Sequence, residues 1–147
     1  EKQCTCSDFQ IKRYQSKLSG PLIDRIDLVV NVPRLTTEEL INTKTNAEPS
    51  FDIRQRVIRA RKIQAERYKN EGILTNSELN AKQIKQFCLL DDMSSEFLKE
   101  AAQKYMLSGR KFNRILKMAR TIADLEAKEN IELKHLTLAL QYRVDMN

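Results

Sequence analysis

Tryptophan is absent from this 147-residue chain, histidine occurs once, and glycine, proline and cysteine occur three times each. Each scarcity removes a class of function. With His135 the sole histidine, there is no histidine-based triad, no His-rich metal site and no zinc-protease helix motif. None of Gly20, Gly72 and Gly109 opens a G-x-x-x-x-G-K-[ST] phosphate loop. The odd cysteine count (Cys4, Cys6 and Cys88) lacks the spacings of a secreted disulfide scaffold. No apolar run approaches the roughly 20 residues of a membrane span, and no signal peptide is evident. The chain alone is therefore not read as a complete enzyme, and its default setting is a reducing cytoplasm without a membrane partner. It begins "EKQCTC" without methionine, which reads as a piece of a longer protein.

So few helix breakers leave long stretches free to be helical. Apolar residues make up 41 %, enough for a core, and the 6 % aromatic content suits one built from Leu, Ile and Ala. The net charge of +6 favours acidic partners such as nucleic acid, nucleotide phosphates or anionic lipid. It is equally the mark of a well-solvated helical surface.

Along the chain, "SDFQIKRYQSKLSG" reads as a short helix capped by Ser7 or Asp8 and stopped at Gly20-Pro21. "LVVNVP" reads as a strand closed by Pro33, and a single strand cannot satisfy its own backbone groups. A connector follows, with a helical turn at Thr37 to Asn42. Ser50 is expected to cap a long helix with Ile53, Val57, Ala60 and Tyr68 on its apolar face and Gly72 at its end. Asn80 caps a short helix with Ile84, Phe87 and Cys88 inward. Ser94 or Ser95 caps another, striped by Phe97, Leu98, Ala101, Ala102 and Tyr105. Ser108 caps "GRKFNRILKMARTIADLEAK", where Phe112, Ile115, Leu116, Ala119, Ile122 and Ala123 recur at helical spacing. The last helix turns Leu133, Leu136, Leu140 and Tyr142 inward. The fold class is mainly α: a bundle of about four or five helices from Ser50 onward, preceded by a segment belonging to something else.

Three constellations carry chemistry. Cys4 and Cys6 supply two of the roughly four soft ligands a tetrahedral Zn²⁺ needs, or are two free thiols. Arg54, Arg56, Arg59, Arg61, Lys62, Arg67 and Lys69 outnumber the acids of the long helix, giving a solvated face or a flank for DNA or an acidic subunit. No interleaved aromatics support base stacking. Arg110, Arg114 and Lys117 share a second face, with Arg110 in a first helical turn, where anions are already favoured. Arg25, between Asp24 and Asp27, is either ion-paired locally or an arginine presented to a neighbour's phosphate.

The stretches "CTCSDFQIKRYQSKLSGPLIDRIDLVVNVPRL", "RQRVIRARKIQAERY" and "LSGRKFNRILKMARTIADLEAKENIELKHLTLALQYR" together resemble the C-terminal part of the bacterial magnesium-chelatase-like AAA+ ATPases of the ComM/YifB group. The resemblance runs from Cys4 to Arg143 and is weakest over Thr36 to Pro49 and Asn70 to Glu100. It implies a division into residues 1–35, a remnant of the α/β ATPase core (helix plus one strand), a connector over 36–49, and a helical lid over 50–147. It implies that Arg25 is the arginine finger and Arg110 the sensor 2 arginine, with Arg110 and Arg114 touching nucleotide. ATP and Mg²⁺ would serve the full-length protein and neither would be held by this piece, which lacks the Walker motifs. Upstream "CPCG" motifs of the family extend the Cys4 and Cys6 pair toward a Zn²⁺ site in the full-length protein. The implied partners are the chain's own ATPase core, neighbouring subunits of a hexameric ring, and DNA, remodelled by branch migration in competence. The resemblance leaves two alternatives: a non-catalytic basic adaptor, or the lid of a metal-chelatase motor subunit.

Overall fold

The structure, a computed structural model, describes residues 5–17, 25–30, 32–41 and 47–142. Cys4, Asp24, the Gly20-Pro21 stop, Asn31 within the expected strand and the last residues after Tyr142 lie outside that set. The helices are α1 (Asp8–Gln15), α2 (Thr37–Ile41), α3 (Ser50–Tyr68), α4 (Ala81–Phe87), α5 (Asp92–Lys104), α6 (Gly109–Leu125) and α7 (Leu133–Gln141), with a 3₁₀ turn at Asn76–Glu78. The protein is mainly helical, as its composition implies. Among the described residues no helix is long and apolar enough to cross a membrane.

The bundle is organised around α6, which packs against α3, α4, α7 and the 3₁₀ turn, while α5 packs on α7. The periodicity of α6 explains this. Ile115, Leu116, Ala119 and Ala123 are buried on one side, and the two alanines let neighbouring backbones come close. Leu98, Ala101, Leu136, Ala139 and Leu140 meet them, and Tyr68, Leu79, Ile84 and Cys88 close the other flank. Tyr68 stands edge-on to Phe87 at 5.2 Å between ring centres, a favourable quadrupole arrangement. Burial pushes the Cys88 thiol up to about 11, so it sits in the core as a neutral group.

Several helix starts follow the expected chemistry. Ser7 and Gln10 form a reciprocal capping box, as do Asn80 and Gln83, and the Ser108 hydroxyl accepts from Lys111 N–H at 3.3 Å. Two expectations are corrected. Pro49, not Ser50, occupies the N-cap of α3: its ψ of 141° is extended, and the helix already begins at Ser50, with no side-chain cap bond. Asp91, not Ser94 or Ser95, caps α5, its carboxylate accepting from Ser94 N–H at 2.7 Å. A carboxylate complements the helix dipole better than a hydroxyl can, and the bond holds Asp91 below the usual carboxylate range.

The expected strand is also corrected. Residues 26–30 and 32–36 run without helix or ladder. Leu28, Val29, Val30 and Val32 are exposed, and among the described residues the backbone bond made here is Val29 N–H to the Tyr142 carbonyl, 3.1 Å. β-branched sequence favours extension, but a strand exists only where another backbone pairs with it. The front half of α3 departs in a similar way. Ile53 is 44 % and Val57 43 % exposed, although both lie on the expected apolar face, while Ala60 and Tyr68 are buried. Tyr105, expected in the α5 stripe, is exposed as well.

Candidate functional site

The outer face of α6 carries Arg110, Asn113, Arg114, Lys117 and Thr121, spaced three or four apart and so stacked along one side of the helix. Residues 25–28 lie across from this stripe, and Ser77, Leu79, Ala81 and Ile84 form the third wall. Together they enclose a cavity of about 630 Å³, the size of a small-molecule site. Four cations (Arg25, Arg110, Arg114, Lys117) face it against one carboxylate, Asp27. Four minus one leaves a lining of +3.

These cations differ in their surroundings. Arg114 is largely buried; its Nη1 donates to the Ile26 carbonyl at 2.6 Å and its Nε meets Asp27 Oδ1 at 2.5 Å. Lys117 Nζ donates to the Ser77 carbonyl at 2.8 Å, tying α6 to the 3₁₀ turn. Arg25 and Arg110 are exposed at the ends of the wall, and Asp27 faces Arg114 rather than Arg25. Arg110 also occupies the first turn of α6, where orphan N–H groups and the dipole favour an anion. Sequence reasoning named Arg25, Arg110 and Arg114, and the fold brings all three to one cavity. It missed Ser77, Asn113 and Thr121, neutral residues with no signal in their spacing.

Beneath the cavity lies a polar cluster that sequence reasoning also missed. Asp124 is fully buried. Its Oδ1 accepts from Arg67 Nη2 at 2.6 Å and Arg120 Nε at 3.0 Å. Its Oδ2 accepts from Arg67 Nη1 at 2.9 Å, Asn76 Nδ2 at 2.9 Å and Gln64 Nε2 at 3.2 Å. The remaining donors of Arg120 reach the carbonyls of Glu129 (2.7 Å) and Lys128 (2.6 Å), fastening the turn after α6. Asn76 accepts from Tyr68 Oη at 2.6 Å and donates to Thr121 Oγ1 at 2.9 Å, so the cluster reaches the cavity wall. Burial, the largest influence, pushes the Asp124 carboxyl up, but the bonds from Arg67 and Asn76 and the Arg120 charge outweigh it and hold the group below its ordinary value. Arg67, read as part of the outer basic face, is thereby placed inside. The one available signal was the Arg120–Asp124 spacing of four on an otherwise apolar helix.

The basic face of α3 retains Arg54, Arg59, Arg61 and Lys62, all exposed. Arg56 is engaged by Glu48 through two bonds of 2.7 and 2.8 Å, which raises the arginine and lowers the carboxyl. His135 is buried; its Nδ1 accepts from Glu132 N–H at 2.9 Å, so its proton is on Nε2, 3.2 Å from Glu126. It serves the α7 start rather than a site. Among the described residues no group of three or more His, Cys, Asp or Glu side chains could hold a metal. Cys6 is exposed, and Cys4 lies outside the described residues.

Comparison with known proteins bears on this arrangement. The family described as "Magnesium chelatase, subunit ChlI C-terminal" matches residues 47–143, and "Magnesium chelatase, subunit ChlI" matches residues 1–40. Competence protein ComM of Haemophilus influenzae is 44 % identical over 137 residues, covering 93 % of this chain and 26 % of that protein. The YifB protein of Escherichia coli is 37 % identical over 138 residues, covering 94 % and 26 %. The Rv2897c protein of Mycobacterium tuberculosis is 31 % identical over 142 residues, covering 97 % and 28 %. The chain therefore spans about a quarter of the length of these curated relatives.

Proposed function

Because the chain belongs to the magnesium chelatase subunit ChlI family, we propose that residues 50–147 form the helical lid of a AAA+ ATPase. Residues 1–35 end its nucleotide-hydrolysing core and 36–49 connect the two. The observation that carries this reading is the +3 cavity between the Arg25 segment and α6. Its guanidinium donors match phosphate oxygens, which accept paired N–H bonds from a planar fork. In this reading Arg110 is the sensor 2 residue. It grips the γ-phosphate of ATP at the start of α6, so hydrolysis changes what holds the lid. Arg25 is the arginine finger and neutralises charge that develops during phosphoryl transfer. Mg²⁺ bound with a nucleotide takes phosphate oxygens, waters and one or two carboxylates; in this reading the protein's share of those ligands comes from the rest of the longer protein.

An ATPase assay of the full-length protein that carries this chain tests the reading. Arg110→Ala is expected to lower kcat/KM by about 10²- to 10³-fold, the usual effect of removing one preorganised donor to transition-state charge. Unchanged hydrolysis removes the cavity from the nucleotide site.

The full-length protein is proposed to work as a cytoplasmic ring, a hexamer, in which neighbouring subunits share these sites. The Haemophilus influenzae relative is named a competence protein, which supports a role in competence; DNA as the substrate remodelled is part of the same proposal. The exposed row Arg54, Arg59, Arg61 and Lys62 on α3 is the face proposed to meet DNA backbone. Reversing these four charges to Glu is expected to abolish retention on duplex DNA. For every phosphate that is no longer neutralised, the slope of log affinity against log salt should become shallower by about 0.9. A chain that is not retained even at low salt has no DNA surface here, and the same assay disposes of the basic-adaptor alternative.

A further inference from the structure

Arg114 differs from its neighbours in the cavity wall. Its side chain is 15 % exposed, and it is bonded to the Ile26 carbonyl and the Asp27 carboxylate. These partners lie 88 and 87 residues away in sequence and immediately follow Arg25. A guanidinium is planar, with donors in fixed directions. Nη1 on a carbonyl and Nε on the next residue's carboxylate therefore fix both the peptide and the side chain of the segment. Among the described residues few other bonds hold the segment. Leu28, Val29 and Val30 are exposed while Ile26 is half-buried, and the next described backbone bond is Val29 N–H to the Tyr142 carbonyl, just after α7. Asp27 itself is 69 % exposed and touches α6 through Arg114.

We propose that Arg114 is a positioning residue: it clamps residues 26 and 27 to α6 and thereby sets where the Arg25 guanidinium stands at the cavity mouth. Arg114 then acts on phosphate through Arg25 and is not itself a phosphate ligand. This rests on the reading of the cavity as a phosphate site, but the clamp can be tested without that reading.

The structural test is hydrogen–deuterium exchange of the peptide covering residues 25–30. Arg114→Lys keeps the charge but cannot make the planar two-point grip, and Asp27→Asn weakens the clamp from the side that lies outside the bundle core. Both should speed exchange in this peptide, including the Val29 amide, while Arg110→Ala should not. Equal protection in all variants overturns the clamp, whatever the cavity binds. Should Arg114→Lys fail to fold, Asp27→Asn carries the same test.

The functional test uses the full-length ATPase. Arg114→Lys should lower kcat roughly tenfold to a hundredfold, the scale of a misplaced group, with KM nearly unchanged. The double variant Arg25→Ala/Arg114→Lys should be no slower than Arg25→Ala alone. A raised KM with unchanged kcat, or rate reductions that multiply, makes Arg114 a direct nucleotide ligand and overturns the proposal. If Arg25→Ala and Arg110→Ala both leave hydrolysis intact, the phosphate reading fails while the exchange result still decides the clamp.

Discussion

Asp124→Asn is expected to destabilise the bundle by about 3–5 kcal/mol, the cost of leaving a buried ionic partner uncompensated. The carboxylate joins α3, α6 and the 3₁₀ turn, and its removal leaves Arg67 and Arg120 facing each other without a shared anion. Against a typical domain stability of about 5–15 kcal/mol this is a large fraction. A thermal melt followed by circular dichroism should show a midpoint lower by roughly 10–20 °C. A shift below about 3 °C would mean that water or rearrangement compensates the arginines. The same group sets a pH dependence. Its folded value lies below its unfolded value near about 3.9. The stability it contributes is thus complete above that pH, and is lost as pH falls through the folded value. The chain should weaken below about pH 4, and Asp124→Asn should flatten that part of the profile. Equal acid sensitivity in both proteins would assign the transition to other carboxylates.

Arg25→Ala in the full-length protein is expected to reduce ATP hydrolysis by about 10³-fold or more, the scale for a finger arginine. Arg25 is exposed at the cavity mouth, and the carboxylate two residues on faces Arg114. Its positive charge is accordingly presented outward, where a phosphate on the same or an adjoining subunit can meet it. Arg25→Lys should recover part of the rate, since charge survives but the planar fork does not. Mixing Arg25→Ala subunits with subunits unable to bind ATP locates the action. Recovered hydrolysis means that Arg25 acts across the interface. Wild-type rates from Arg25→Ala alone would reduce it to a surface residue.

The helices were legible wherever periodicity and caps agreed. The α6 stripe is the strongest case, and Asn80 and Ser108 sit where their amide or hydroxyl chemistry predicts. Caps are ambiguous where candidates crowd together: Asp91, Ser94 and Ser95 compete within five residues, and the charged one wins. The apolar spacing of α3 marks a face, but spacing does not say whether a covering surface belongs to the same chain. Val29 and its neighbours illustrate the same limit, because extension is local and pairing is not. The identity of Arg67 carries no mark that separates an outward cation from one bound to Asp124, 57 residues later. For the site, helical phase alone put Arg110, Arg114 and Lys117 on one face. The apposition of Arg25 comes from bonds that span 88 residues, which no local pattern encodes.

The half-embedded α3 has a mechanical consequence. Its rear is anchored by Ala60, Gln64 and Tyr68, with Arg67 bolted to Asp124, while Phe51 to Ile58 project with mostly exposed side chains. From Ser50 to Ala60 this is a stiff rod of about 15 Å. A tilt of the bundle by roughly 15° would swing its tip by about 4 Å, more than a hydrogen bond spans. The helix is thus a lever arm with its fulcrum in the core, and the basic row along it would travel with every rotation of the bundle.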